Sequence, residues 1–265
     1  MATAAPVFEN RGMSIGRVFQ RAFSTIAHNP VVVLGLALVL GGLPSALISY
    51  LARSFTGPNA AVLANGGQTR FWSVLLFSWV VAVVIAAIVQ GALTRATVAE
   101  NEGRRATFAD CIAAGLRVLL PLIAIGVIFG VAMGVGFVLL IIPGIFVMIT
   151  WSVAAPAEVV EREGIMMALG RSTELTKGSR WRILGLFLVL LVIYILVFTV
   201  LGFVGLSSFR TGAAAGEFRL GNLIASVVSA MVMNLLWGTI QPSLYIELRQ
   251  AKEGSSIESL EAVFA

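Results

Sequence analysis

Residues 141–182 read IIPGIFVMITWSVAAPAEVVEREGIMMALGRSTELTKGSRWR, and the order of their parts decides the fold. A Pro143-Gly144 turn opens the stretch, and proline suits the first turn of a helix, where its missing N–H has no partner to lose. An apolar run long enough for a membrane span continues to Val160. Then come an acidic exit at Glu161, a short segment with apolar residues at helical spacing, and an Arg180-Trp181-Arg182 entrance to the next apolar run.

The composition requires the same solvent throughout. The chain has 265 residues, 58% hydrophobic and only 12% charged, with a mean hydropathy of +0.97. Soluble domains carry roughly 25% charged residues, so lipid is the medium this chain is built for. The net charge of +5 invites a nucleic-acid reading, but the charges gather at the ends of apolar runs, where they set topology. Cys111 is the single cysteine and His28 the single histidine. That excludes an intrachain disulfide and argues against a zinc, haem or iron–sulfur site, so no cofactor is expected. The first apolar run starts at Val31 and reads as a span rather than a cleaved signal.

Six spans are expected, at about 31–51, 71–98, 118–140, 143–160, 181–205 and 222–246. The prediction is an all-α integral membrane protein, one polytopic domain over 1–265, with a disordered tail at 1–12 and a cytoplasmic tail at 247–265. Gly41, Gly42 and Pro44 predict a kink in the first span. Gly126, Gly130 and Gly134 form a stripe on the third, expected to pack against a neighbouring helix.

Amphipathic segments precede the odd-numbered spans. In 13–29, Ile15, Val18, Phe19, Ala22, Phe23 and Ile26 oppose Arg17, Gln20, Arg21 and Ser24. In 107–117 the apolar side is Phe108, Cys111, Ile112, Gly115 and Leu116. In 164–178 it is Ile165, Met166, Ala168, Leu169, Ser172 and Leu175. A weaker fourth segment carries Ile257, Leu260, Val263 and Phe264. Of 18 basic residues, only Arg53, Arg70, Arg210 and Arg219 fall on the side opposite the termini. The positive-inside rule then places both termini in the cytoplasm.

The chain also repeats itself. The fourth span ends Trp151-xxxx-Pro156-xxxx-Glu161 and the sixth ends Trp237-xxxx-Pro242-xxxx-Glu247, while the second ends Gln90-xxxx-Arg95-xxxx-Glu100. An amphipathic segment follows each exit. Three hairpin repeats of interfacial helix, span, turn and span are expected, in a pseudo-threefold or quasi-linear array.

At Pro143-Gly-Ile-Phe146, Ala157-Glu-Val-Val-Glu-Arg-Glu-Gly164 and Ala168-Leu-Gly-Arg-Ser-Thr-Glu-Leu-Thr-Lys-Gly-Ser-Arg-Trp181, the chain resembles a bacterial family. This is the six-helix membrane domain fused to glycerophosphoryl diester phosphodiesterases, together with its stand-alone relatives of uncharacterised function. The resemblance implies a bacterial inner-membrane protein with cytoplasmic termini. It implies no phosphodiesterase activity, because no stretch of soluble length is present to form the catalytic barrel.

Candidate functional residues fall into three sets. Arg171, Lys177, Arg180 and Arg182 are placed to meet an anionic lipid headgroup or a protein partner. Glu100, Glu158, Glu161, Arg162 and Glu247 are expected in structural ion pairs: Glu158 with Arg162 four residues on, and the exit glutamates with arginines such as Arg104 and Arg171. Gln90, Asn234 and Gln241 are the most polar residues deep in the spans and read as interhelical hydrogen-bonding groups. The expected function is non-enzymatic: an integral membrane protein acting through membrane lipids, a membrane-protein partner or a second copy of itself, as an accessory, assembly or envelope-homeostasis factor. The alternative is a small transporter or lipid-handling protein with a cavity between hairpins lined by Gln90, Asn234 and Gln241.

Overall fold

A computed structural model describes residues 12–56, 68–210 and 220–254. The tail before Gly12, parts of both outer turns and the segment around Ile257–Phe264 lie outside the described residues. Every described element is helical: α1 (Ile15–His28), α2 (Pro30–Leu36), a π-helical stretch (Ala37–Gly42), α3 (Leu43–Thr56), α4 (Gln68–Asn101), α5 (Phe108–Arg117), α6 (Leu119–Leu139), α7 (Ile141–Thr150), α8 (Ala154–Glu161), α9 (Ile165–Thr176), α10 (Arg180–Arg210), α11 (Leu220–Arg249) and a closing π-helical turn (Gln250–Gly254). Six helical stretches are long and apolar enough to cross a membrane: Pro30–Ile48, Trp72–Asn101, Leu119–Leu139, Ile141–Glu161, Arg180–Leu201 and Ile224–Gly254. The chain is an all-α, multi-pass membrane protein.

Local sequence explains the irregularities. The kink expected in the first span takes the form of a π-helical widening over Ala37–Gly42. There Gly41 lies so close to Asn234 that a Cβ would sit 2.7 Å from its Nδ2. The third and fourth spans are joined through Leu140 alone, whose φ of −166° and ψ of 146° are extended. Gly136 and Gly144 let the two backbones touch just beyond that turn, since a Cβ on Gly136 would lie 2.8 Å from the Gly144 nitrogen. In lipid, where apolar burial between helices gains little, such close approach is what holds helices together.

The fourth span is broken between α7 and α8 at Trp151–Val153. Pro156 lacks the N–H that would bind the Ser152 carbonyl, and the freed backbone groups find side chains on α9. Ser172 Oγ donates to the Thr150 carbonyl at 2.8 Å and accepts from the Val153 N–H at 3.3 Å, while Thr176 Oγ1 also reaches the Thr150 carbonyl at 3.3 Å. Pro242, in the corresponding position of the sixth span, lies inside a continuous helix.

Three expectations about faces are corrected. Gly126, Gly130 and Gly134 pack against nothing, a Cβ at each meeting open space. Met166 is exposed, because α9 turns Ser172 and Thr176 inward to serve the break beside it. Phe23 and Leu116 are exposed as well, whereas Arg21 is largely covered by its approach to Glu247.

The spans pack in a regular order. The second, fourth and sixth spans converge, since α4, α8 and α11 all meet one another. The first helix of each hairpin packs against the last helix of the preceding one, α6 on α4, α10 on α7, and the π-helical stretch of the first span on α11. Each short helix follows the same rule, with α5 on α4, α9 on α8 and α1 on α11. The α4–α5 crossing is close, for Gly91 and Gly115 face each other and a Cβ on Gly115 would lie 2.5 Å from the Ile88 carbonyl oxygen.

Candidate functional site

The exit glutamates close the seams between spans and short helices. Glu161 accepts from Arg171 Nε at 3.1 and 3.2 Å and from the Tyr245 hydroxyl at 2.6 Å. Glu247 is buried and accepts from Arg17 Nε at 2.7 Å and the Ser14 N–H at 3.1 Å, with Arg21 Nη1 3.8 Å away. Arg171 and Arg21 hold the same register, counted from Ile165 and Ile15 at the starts of their helices. The equivalent residue of α5 is Ala114. Glu100 accordingly departs from the expected pairing with Arg104. It meets His28 Nδ1 at 3.1 Å, an ion pair when the imidazole is protonated, while Arg104 folds back on Glu102 through the turn at Gly103, whose φ is +69°. Glu158 and Arg162 form no side-chain pair. Arg162 adopts a left-handed conformation (φ 53°, ψ 36°) that swings it off the helix face, and Glu158 accepts from the Gly164 N–H at 3.0 Å instead.

The basic set expected to meet headgroups is largely engaged within the chain. Arg171 binds Glu161 and Glu253. Burial opposes its charge, but the two carboxylates outweigh that and hold the guanidinium above its ordinary value. Arg182 Nη1 donates to the Met13 carbonyl at 3.1 Å. The Arg180 guanidinium lies 4.6 Å from the centre of the Phe146 ring, a cation–π distance. Lys177 is exposed.

The deep amides converge. Gln90 Nε2 donates to Gln241 Oε1 at 2.7 Å, tying α4 to α11, and Asn234 Nδ2 donates to its own helix at the Ala230 carbonyl, 2.7 Å away. All three line a cavity of about 740 Å³ between α4, α6, the α7–α8 break and α11. Gln90, Trp151 and Trp237, which occupy one register relative to the three exit glutamates, also meet at this cavity. Gln90 lies about 15 Å along its helix from Glu100 at 1.5 Å per residue, so the amides lie well within the span, and the exposed Trp79, Val127, Val131 and Trp237 leave the cavity open on its outer side. Its volume is in the range of pockets that hold drug-sized or lipid-like molecules. Sequence reasoning missed Trp79, Gly126 and Gly130 in the lining. The glycine stripe was the available signal, and its missing side chains make room for the cavity rather than for a neighbouring helix. Among the described residues, no group of three or more His, Cys, Asp or Glu side chains is placed to hold a metal.

A family model described as a domain of unknown function (DUF7847) matches residues 13–246. The chain belongs to that family. The match spans α1 through nearly all of α11, so family membership covers the six spans, the three short helices and the whole cavity lining. No curated protein and no solved structure matches the chain. The likeness to the phosphodiesterase membrane domains therefore rests on the residues quoted for it.

Proposed function

We propose that this protein handles an amphiphilic lipid, holding the apolar part of the molecule in the cavity between the second, third, fourth and sixth spans. The observation that carries the reading is the cavity itself, with the paired amides of Gln90 and Gln241, Asn234 about 10.5 Å further along α11, and Trp79, Trp151 and Trp237 around it. Amides and indole N–H groups orient a ligand whose bulk is apolar. The protein acts by binding, without catalysis. Its three hairpins are repeats of one unit about a pseudo-threefold axis, supported by the packing order and by the shared register of Gln90, Trp151 and Trp237. α1, α5 and α9 are interfacial helices at the basic end, which faces the cytoplasm of a bacterial inner membrane. The accessory-subunit reading has no observation of its own, because the exposed apolar faces of α6 and α10 are what any span turns to lipid.

The test uses space filling. Gly126 and Gly130 line the cavity and have open space at Cβ, so Gly126→Leu/Gly130→Leu fills it without a clash. Fluorescence of the cavity tryptophans is titrated with chain-brominated diacylglycerol in detergent. The native protein is expected to be quenched in a saturable way and the filled variant to lose that phase. Equal quenching of both, or quenching that never saturates, would refute the reading.

A further inference from the structure

The three exits differ, and the odd one opens a second pocket. At α8/α9 and at α11/α1, a glutamate–arginine contact closes the seam. At α4/α5 the arginine register holds Ala114, Glu100 is turned to His28, and Arg95 stands where the other two exits carry Pro156 and Pro242. A pocket of about 370 Å³ results, lined by Arg95, Arg117 and Arg162 with Val98, Ala114 and Val159 as part of its apolar wall.

Two carboxylates also line it, and both are committed elsewhere. Glu102 is held by Arg104, and Asp110 by Thr107, whose Oγ1 donates at 2.7 Å in a capping box. Those hydrogen bonds first of all, with the nearby charge of Arg95 adding, keep both groups below the ordinary carboxylate range. None of the three guanidinium groups makes a hydrogen bond or ion pair with another described residue, although they come from the α4 end, the α5 end and the α8 exit. Glu102 and Asp110 partly balance the charge of Arg95, and Glu158 that of Arg162, but the guanidinium N–H groups keep donors for a phosphate, which such groups bind in pairs. Arg162 reaches the pocket from a backbone conformation that glycine adopts freely and a long side chain adopts at a cost.

We propose that Arg95, Arg117 and Arg162 bind the phosphate of an anionic phospholipid. The inference rests on the amphiphile reading for the place of the acyl chains. Ala87, Val118, Leu122 and Val159 form one apolar cluster between the two pockets. Ala87 and Leu122 line the cavity on its other side, so headgroup and chain sites are neighbours along α4, α6 and α8, separated by that one packed layer. Arg95 lies about 7 Å along α4 from the Glu100 exit, a depth at which a phosphate meets guanidinium groups while its chains stay in the bundle.

The experiment uses the full chain in non-ionic detergent, in a Trp72→Phe/Trp181→Phe background that keeps the three cavity tryptophans. Chain-brominated phosphatidylglycerol is compared with chain-brominated diacylglycerol, which lacks the phosphate. Phosphatidylglycerol is expected to quench at a mole fraction about tenfold lower, the scale of a charge-assisted hydrogen bond. Arg95→Gln/Arg117→Gln/Arg162→Gly is expected to erase that preference and leave the diacylglycerol curve in place. No preference in the native protein, or a preference surviving in the triple variant, overturns the proposal. Millimolar inorganic phosphate is expected to displace nothing; full displacement would overturn the lipid assignment in favour of a free anion. Arg162→Gly alone, relieved of strain, is expected to melt no lower than the native protein while losing preference. Lower melting with intact preference would make Arg162 structural and sink its role. If neither lipid quenches, the cavity reading fails by itself. The arginine site is then read from melting temperature, where greater stabilisation by phosphatidylglycerol than by diacylglycerol supports it and equal stabilisation overturns it.

Discussion

Ser172 shows how one side chain holds a broken membrane helix. Its hydroxyl serves both sides of the gap, donating to the Thr150 carbonyl and accepting from the Val153 N–H, and it is fully buried. Ser172→Ala leaves the Val153 N–H without its partner and the Thr150 carbonyl with only the longer Thr176 contact, and is expected to cost about 1–3 kcal/mol, read as a lower melting temperature in detergent. Thr173→Ala, which removes only a bond to the Leu169 carbonyl of its own helix, is expected to cost far less. Cys111 is a second case. Burial first of all, with Asp110 adding, pushes its thiol up to about 11. A raised folded value means that the neutral thiol stabilises the fold below the ordinary thiol range, and that this contribution is lost as pH rises through about 11. Maleimide at pH 8 is expected to leave Cys111 unlabelled in the native protein and to label it after denaturation in dodecyl sulfate. Labelling at equal rates in both would contradict the burial. Cys111 was legible in the sequence as apolar-facing, but Ser172 was placed inward among apolar residues without its reason, which is a break that the sequence does not mark.

At the scale of elements, the short helices are positioned as much by polar partners as by apolar faces. The buried Glu247 joins α11 to α1 through Arg17 and the Ser14 N–H, with Arg21 close by. Glu247→Gln leaves Arg17 and Arg21 without a counter-charge, and losing one member of a buried pair costs about 3–5 kcal/mol. Arg17 is itself 45% exposed, so a cost below that range, about 2–3 kcal/mol, is expected. Glu102→Gln, whose pair with Arg104 is exposed, is expected to cost less than about 1 kcal/mol. Comparable losses would show that the seam does not depend on the buried pair. Helical spacing located these helices to within a residue or two, yet misplaced Phe23, Met166 and Arg21. Spacing reports which residues share a face; it does not report which partner the face meets. The Glu158–Arg162 pair failed for a related reason, because four-residue spacing presumes a helix that continues and Arg162 ends it in a left-handed turn.

For the whole molecule, the packing order brings the second, fourth and sixth spans around one cavity. Orientation is tested in a Cys111→Ala background, with Lys177→Cys at the basic end and Arg219→Cys towards the other. In intact cells an impermeant maleimide is expected to label the second and spare the first. The reverse pattern would invert the topology. The cavity was only partly legible: Gln90, Asn234 and Gln241 stood out as polar residues in apolar runs, whereas Gly126 and Gly130 read as packing contacts. A glycine stripe looks the same whether a helix or empty space lies opposite it.

The sequence by itself determined that the chain is helical, where the spans lie and which ends carry the exit glutamates. These follow from apolar run length, from proline and glycine placement and from charge clustering, all properties of neighbouring residues. Only the tertiary structure decided which of those glutamates close a seam and which seam stays open. Arg95, Arg117 and Arg162 are far apart along the chain, and nothing in their local sequence relates them. They come together because α4, α5 and α8 pack around the Gly91–Gly115 contact and because Ala114, in the register of an arginine, leaves room between them.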